Sequence, residues 1–160
     1  MNFLKQSNTI LKAVKTNPFT LDLFKNKNIL ITGGGTGLGK QMAKIYLELG
    51  ANVLIASRKS EVLENTCNEL GNTNINYKVL NIKEHESVKE FVSELDTVPD
   101  VVINNAAGNF ICPSKDLTYN GWNSILDIVL KGTMDLTLQL GQRMINENKP
   151  GNFLNIVLLA

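Results

Sequence analysis

A cluster of glycines between an apolar run and a helical pattern constrains this chain more than any other feature. The apolar run covers 29–32, and the glycines that follow are Gly33, Gly34, Gly35, Gly37 and Gly39. Glycine adopts positive φ and has no Cβ, so such a segment can turn tightly and approach a ligand closely. The first turn of the following helix presents free N–H groups and a positive dipole end to an anion. The stretch therefore predicts a phosphate-binding strand–loop–helix unit.

Two well-known phosphate-loop patterns fit this stretch incompletely. The G-x-x-x-x-G-K-[ST] pattern of nucleoside triphosphatases matches Gly34 to Lys40, but Gln41 stands where a Mg²⁺-binding hydroxyl is required. The G-x-G-x-x-G dinucleotide pattern lacks its third glycine. The pattern that fits is Thr-Gly-x-x-x-Gly-x-Gly, at Thr32, Gly33, Gly37 and Gly39. A glycine-rich turn that binds no ligand remains an alternative at this point.

Short apolar runs alternate with helical patterns along the rest of the chain. The predicted strands are 29–32, 53–56, 75–80, 101–103 and 153–159; the predicted helices are 38–49, 60–70, 84–95 and 118–146, the last interrupted near Gly132. Strands separated by helices of this length predict a parallel sheet with right-handed crossovers. The fold class is therefore α/β, a Rossmann-type doubly wound parallel sheet that stops after about the fifth strand.

Local patterns give more detailed expectations for the first two helices. In the first helix, the spacing predicts that Leu38, Met42, Ile45 and Leu49 form the apolar face. In the second, Ser60 is the predicted N-cap and Gly71 the predicted end.

Composition limits the partners and the compartment. The 160 residues are enough for one domain, and 43% of them are hydrophobic and 19% charged. The net charge of +1 does not indicate nucleic-acid binding. No apolar run approaches the ~20 residues of a membrane span. Cys67 and Cys112 form no cluster, which predicts no metal site and favours a reducing compartment. His85 lies in a polar run and is predicted to be a solvated helix residue.

The first 27 residues differ from the rest of the chain. Three lysines precede the first acidic residue, Asp22, a bias mildly similar to that of a mitochondrial transit segment, although arginine is missing. The chain is therefore divided into an N-terminal arm, 1–27, and a nucleotide-binding domain, 28–160.

A doubly wound sheet binds its ligand beyond the carboxyl ends of the strands. We therefore expect 33–39, 57–59, 81–83 and 104–110 to line one crevice. The second strand is followed by Ser57, Arg58 and Lys59, where NAD-binding proteins carry a carboxylate for the ribose 2′-hydroxyl. Two cations suit a 2′-phosphate, so NADP(H) is favoured over NAD(H). The alternative is that both cations simply form a solvated helix start.

The glycine motif resembles the cofactor loop of the short-chain dehydrogenase/reductase family. The segment 104–108, Asn-Asn-Ala-Ala-Gly, resembles that family's Asn-Asn-Ala-Gly turn with one alanine inserted. The longer string 105–110, together with 33–39 and 55–59, resembles the 2,4-dienoyl-CoA reductases, closest to the mitochondrial type. The likeness runs from about residue 18 to 155.

This resemblance implies NADPH-dependent reduction of 2,4-dienoyl-CoA thioesters in the β-oxidation of unsaturated fatty acids. The implied NADPH-binding residues are Gly33, Gly34, Gly35, Thr36, Gly37, Leu38, Gly39, Ser57, Arg58, Lys59, Asn81, Asn105, Ala106 and Ala107. Asn109 is implied as the catalytic amide near the thioester, and Arg58, Lys83, Phe110 and Thr118 as acyl-CoA contacts. The resemblance also implies a homotetramer and a mitochondrial location, with the peroxisome as the alternative.

The sequence also departs from the family pattern. Asn81 replaces a usual Asp, Lys83 replaces a usual Arg, and Val129 stands where most members carry a catalytic Asn. No Tyr or Ser is followed four residues later by Lys, the pair that the family carries after the fifth strand. We therefore expect the first half of an enzyme that does not turn over by itself. A non-catalytic nucleotide-binding module, a 3-ketoacyl-CoA or trans-2-enoyl-CoA reductase, and a P-loop NTPase remain alternatives.

Overall fold

Five strands form one parallel sheet in the computed structural model, which describes residues 22–71, 73–108 and 112–156. The strands are β1 (Asn28–Thr32), β2 (Asn52–Ser57), β3 (Ile75–Val79), β4 (Val101–Asn104) and β5 (Asn152–Asn155). Every neighbouring pair is parallel, in the order β3-β2-β1-β4-β5. The chain winds outward from β1 to β3 and returns to β4 on the other side of β1, so the doubly wound prediction is confirmed. The switch point between β1 and β4 is where such sheets bind ligands.

Helices connect the strands on both faces of the sheet. They are α1 (Gly37–Glu48), α2 (Ser60–Leu70), α3 (His85–Ser93), α4 (Tyr119–Leu126) and α5 (Thr133–Asn146). A π-helical segment, Asp127–Gly132, joins α4 to α5, and a 3₁₀ turn, Ser114–Asp116, precedes α4. The interruption predicted near Gly132 is thus a change of helical type within a continuous helical run. The end of the fifth predicted strand, 157–159, lies outside the described residues.

Two apolar clusters hold the layers together, one on each face of the sheet. Successive side chains of a strand point to opposite faces. Leu30 of β1 accordingly packs with Leu136 and Leu140 of α5 on one face, while Ile31 packs with Leu63 of α2 on the other. All five side chains are fully buried.

The predicted apolar face of α1 is wrong at two positions. Leu38 is 56% exposed and Ile45 47% exposed, whereas Gly39, Ala43 and Leu47 are buried against the sheet. Small residues at 39 and 43 allow the helix to lie close to the strands, and the large side chains that set the predicted period then point elsewhere. The other two predicted positions are half-buried or buried.

The ends of α2 test the capping predictions. Lys59, not Ser60, is the N-cap residue, and no side chain caps the helix there; Ser60 is already its first helical residue. Gly71 ends the helix with φ 57°, as predicted, because its left-handed conformation suits glycine.

The described part of the predicted N-terminal arm packs against the end of α1. Phe24 donates its backbone N–H to Leu49 O at 2.9 Å, and its ring meets Tyr46 edge-on at 4.9 Å between centroids. The rest of the arm, 1–21, lies outside the described residues, and its role stays a prediction. Within the described ranges, none of the helices combines the length and the apolarity that crossing a membrane requires.

Candidate cofactor-binding site

A cavity of about 310 Å³ lies at the carboxyl edge of the sheet, over the switch point. Its walls come from the glycine loop after β1, the residues that follow β2 and β3, and the turn after β4. A larger hollow of about 660 Å³ lies at the opposite edge of the sheet. There Asn52 donates to Asn28 at 3.1 Å and Lys78 pairs with Glu94 at 2.7 Å, so these polar groups already satisfy one another. We assign the ligand site to the carboxyl edge, where the fold places it.

The glycine loop needs its glycines for two reasons. Gly33 and Gly37 have positive φ, 67° and 51°, which side-chain-bearing residues rarely adopt. A Cβ at Gly34 would lie 2.6 Å from Ile55 Cγ2, and one at Gly39 would lie 2.3 Å from Gly33 O. The loop is therefore packed directly onto β2 and onto itself, with no room for side chains on that side.

Thr32 ties the glycine loop to the turn after β4. Its buried hydroxyl accepts hydrogen bonds from the backbone N–H groups of Asn105 and Ala106, both at 3.0 Å, and donates to Ile103 O at 3.4 Å. Asn105 in turn donates hydrogen bonds from its Nδ2 to Thr32 O at 3.0 Å and to Gly33 O at 3.3 Å. The two sequence motifs thus form one hydrogen-bonded unit at the switch point, and a bound ligand would meet a preformed surface.

Asn104 connects the same turn to the far side of the sheet. Its Nδ2 donates to Thr137 Oγ1 of α5 at 3.0 Å and to Asn155 Oδ1 at the end of β5 at 2.8 Å. Its Oδ1 is buried and has no hydrogen-bond partner among the described residues. The side chain fixes β4 between β5 and α5, away from the cavity.

Positive charge gathers at the end of the cavity beyond β2 and β3. Arg58 and Lys59 are exposed at the start of α2, and Lys83 reaches the same cavity from the turn after β3. Lys83 Nζ also donates to Ser124 Oγ of α4 at 3.3 Å. None of the described residues that line the cavity is acidic. This end of the site is therefore suited to a phosphate, and a carboxylate-dependent contact to a ribose 2′-hydroxyl has no counterpart in the described lining.

Asp127 and Lys131 form an ion pair within the π-helical segment. Lys131 Nζ donates to Asp127 Oδ1 at 2.8 Å, and this hydrogen bond lowers the pKa of the Asp127 carboxyl from its ordinary value. The positive charge of Lys83 lowers that pKa further. The segment that packs over the cavity thus begins with a carboxylate that stays ionised at neutral pH.

The short chain dehydrogenase family model matches residues 27–159 of this chain, the span that contains the whole sheet. The chain belongs to the short-chain dehydrogenase family. This family consists of oxidoreductases that use nicotinamide cofactors, and the prediction of family membership is confirmed.

Curated relatives within the short-chain dehydrogenases carry a more specific name. The chain is 40% identical, over 147 residues, to a probable 2,4-dienoyl-CoA reductase [(3E)-enoyl-CoA-producing] of Caenorhabditis elegans, covering 86% of this chain and 47% of that protein. It is 35% identical to a probable 2,4-dienoyl-CoA reductase [(2E)-enoyl-CoA-producing] of Bacillus subtilis, covering 82% and 54%. The chain spans about half the length of these curated relatives.

A solved structure agrees with the fold. A short chain dehydrogenase of Bacillus anthracis superposes with a TM-score of 0.75 at 37% identity, over 79% of this chain and 53% of that one. The sheet and the crevice described above are therefore those of a short-chain dehydrogenase.

The structure brings most of the predicted cofactor residues of this short-chain dehydrogenase to one place. Those that line the cavity are Gly33, Gly35, Thr36, Ser57, Arg58, Lys59, Ala106 and Ala107, and Lys83, predicted for acyl-CoA, joins them. Gly34, Gly39 and Asn105 lie behind this surface and hold the loop in place. Gly37 and Leu38 begin α1.

Two predicted residues, Asn81 and Thr118, stand apart from the cavity lining. Asn81 Oδ1 accepts a 3.4 Å hydrogen bond from the Lys83 backbone, so this side chain stabilises the turn after β3. Thr118 is exposed and caps α4, where its hydroxyl accepts from Gly121 N at 3.1 Å. Asn109 and Phe110 lie outside the described residues.

Sequence reasoning missed several apolar residues that line the cavity. Leu80 ends the third predicted strand and directly precedes the predicted crevice segment 81–83, which already includes Ile82. Val62 comes from the first turn of α2, and Ile128 from the π-helical segment, more than 60 residues further along the chain. Ile128 also abuts the turn after β4, since a Cβ at Gly108 would lie 2.5 Å from its Cδ1. No local pattern marks such residues, because only the packing of distant elements brings them together.

Proposed function

We propose that this chain is the NADPH-binding part of a 2,4-dienoyl-CoA reductase that acts in the β-oxidation of unsaturated fatty acids. The observation that carries the proposal is the cluster of Arg58, Lys59 and Lys83 at the end of a glycine-lined cavity. The names of relatives at 35–42% identity support the substrate class.

The residues present fit NADPH. The glycine loop and the first turn of α1 would hold the diphosphate, since free helix N–H groups and the helix dipole favour an anion. Arg58 and Lys59 would bind the 2′-phosphate, with Ser57 as a further hydroxyl partner. Ala106 and Ala107 allow the cofactor to approach the backbone of the turn after β4. When bound, NADPH supplies the hydride for the reduction of the conjugated diene.

The roles of this chain's own residues in the reaction are proposed from the family resemblance. Negative charge develops on the thioester oxygen during the reduction, and a placed hydrogen-bond donor stabilises it. The Asn109 side-chain amide is proposed as that donor. Arg58, Lys83, Phe110 and Thr118 are proposed contacts of acyl-CoA, whose phosphates suit the two cations. Asn81 is proposed to bind the cofactor at its adenine end.

The proposal extends to assembly and location. Leu130, Met134, Leu138 and Ile145 are 49–73% exposed on a helical run whose opposite face is buried in the core. An apolar helix face of this kind supports a homo-oligomer, proposed as a tetramer. The proposed compartment is the mitochondrion, with the peroxisome as the alternative, and the N-terminal arm is proposed to lie outside the nucleotide-binding domain.

Reduction of a substrate panel tests the proposed activity. The intact protein is incubated with NADPH and 2,4-dienoyl-CoA, 3-ketoacyl-CoA or trans-2-enoyl-CoA, and the loss of NADPH absorbance is followed. We expect turnover with the dienoyl thioester, and preference for either other thioester would contradict the proposal. The expectation that the 160 residues alone do not turn over is tested in the same assay.

A matched pair of variants tests whether the basic residues at the end of the cavity bind the 2′-phosphate. Lys59→Ala removes a cation from the cavity, while Lys89→Ala removes an exposed cation from α3 that does not line it. We expect the first variant to raise the NADPH dissociation constant about tenfold, because it removes one charge-assisted hydrogen bond to a phosphate. The second variant should leave it unchanged. Equal effects of both substitutions would contradict the assignment of the 2′-phosphate.

A further inference from the structure

Thr66 is a buried polar residue in the middle of α2 whose hydroxyl serves a distant loop. It is 2% exposed, and its Oγ1 donates to Gly35 O at 2.7 Å, across 31 residues of chain. A threonine inside a helix ordinarily bonds the carbonyl of its own preceding turn or faces solvent. Here the hydroxyl anchors the glycine loop to the helix beside it.

The same face of α2 packs directly on the anchored glycine. A Cβ at Gly35 would lie 3.0 Å from Val62 Cγ1 and 3.5 Å from Leu63 Cδ2. Val62 and Thr66 are four residues apart, so they lie above one another on the helix surface. The loop therefore rests on α2 through van der Waals contact at one turn and a hydrogen bond at the next.

This hydrogen bond sets the direction of the following peptide group. The described residues contain no cis peptide bond, and in a trans peptide the N–H points opposite to the C=O. Because Gly35 C=O points to Thr66, the N–H of Thr36 is turned to the side away from α2. Thr36 itself lines the cavity. Loss of the Thr66 hydroxyl would free this peptide to rotate.

The helix that holds the loop also holds the basic pair. Lys59 is the N-cap of α2, and Arg58 directly precedes it. Thr66 comes seven residues after Lys59, roughly 10 Å along the helix axis. A rigid helix of two turns therefore connects the proposed diphosphate loop with the proposed 2′-phosphate site.

We propose that Thr66 is a positioning residue that fixes the glycine loop relative to Arg58 and Lys59, and so sets the preference for a nicotinamide cofactor with a 2′-phosphate. The inference rests on the proposed function. Thr66 acts through Gly35, since its own side chain does not form part of the cavity lining.

Thr66→Val and Thr66→Ser separate the hydroxyl from the packing. Valine keeps the branched shape and removes the donor, whereas serine keeps the donor and removes a methyl group. The dissociation constants of NADPH and NADH are measured by titration of the full chain and of each variant, together with stability in urea. We expect Thr66→Val to weaken NADPH binding about tenfold and NADH binding less, so that the preference shrinks. Thr66→Ser should stay within about twofold of the original chain for both nucleotides.

The possible results distinguish the inference from the function on which it rests. A Thr66→Val chain that is folded and binds both nucleotides with unchanged affinity would overturn the inference alone. So would a Thr66→Ser chain as impaired as the valine variant, since packing would then explain the loss. If the valine variant does not fold, the smaller Thr66→Ala takes its place under the same criteria. An original chain that binds neither nucleotide would overturn the proposed cofactor site itself.

Discussion

Replacing Gly39 with alanine tests how tightly the glycine loop is locked to the turn after β4. Gly39 lies in the first turn of α1, and its φ is not positive, so backbone strain plays no part. The added Cβ would lie 2.3 Å from Gly33 O and 2.7 Å from Asn105 Nδ2. These two atoms are themselves joined by a 3.3 Å hydrogen bond. The methyl group would therefore press on the junction between the two motifs.

The size of the effect follows from three contributions. Relieving the contact requires a backbone shift, and overpacking of this kind costs about 1–3 kcal/mol. Losing the bond from Asn105 to Gly33 O costs about a further 1 kcal/mol. The higher helix propensity of alanine returns up to about 1 kcal/mol, less at the start of a helix. We expect Gly39→Ala to destabilise the chain by about 1–3 kcal/mol.

Gly141→Ala is the matched control. Gly141 lies in the interior of α5, and a Cβ there would meet nothing within 4 Å. The same chemical change should therefore stabilise the chain by about 0.5–1 kcal/mol through helix propensity alone. Urea unfolding of both variants measures the difference, expected at about 1.5–4 kcal/mol. Equal stability of the two variants would refute the argument that the loop has no room for a side chain.

Three further predictions concern the core, the junction and the helix that carries Asp127. Thr32→Val should destabilise the chain by about 1–3 kcal/mol in urea unfolding, because two half-buried N–H groups lose their acceptor; a neutral effect would count against the junction. Leu136→Ala should cost about 2–5 kcal/mol, and Leu38→Ala, at a 56% exposed position of α1, should change stability by no more than about 0.5 kcal/mol; similar costs would contradict the core assignment. The pKa of Asp127 is lowered by Lys131, so its contribution to stability is present above the ordinary carboxyl pKa and is lost as pH falls through the folded value. Asp127→Asn should therefore lose less stability than the original chain between about pH 7 and pH 3, measured as the urea midpoint at each pH; an identical loss would argue against the pair.

The order of the elements could be predicted because its signals are local. The apolar runs, the helical periods and the glycine loop each occupy a few consecutive residues, and all five strands appear where such runs predict them. The face of α1 could not be predicted in this way. A period count favours large residues such as Leu38, whereas the sheet accepts the helix through Gly39 and Ala43, the small ones.

The residues of the candidate site also fall into two groups, those that local sequence patterns identify and those that only the packing of distant elements reveals. The sequence identifies the backbone loop and the basic residues, because tight turns need glycine and phosphates need cations. It does not identify Ile128 or Val62, which reach the cavity only through the packing of their helices. Nor does it show that Thr32 and Asn105, 73 residues apart, bind each other directly. A contact between distant elements produces no periodic pattern in the sequence of either element.

The measurement that tests the central claim most directly is the comparison of NADPH and NADH in a titration of the folded chain. With Arg58 and Lys59 beside the 2′-phosphate, we expect NADPH to bind at least about tenfold more tightly. Equal affinity for the two nucleotides, tighter binding of NADH, or binding of neither would contradict the claim.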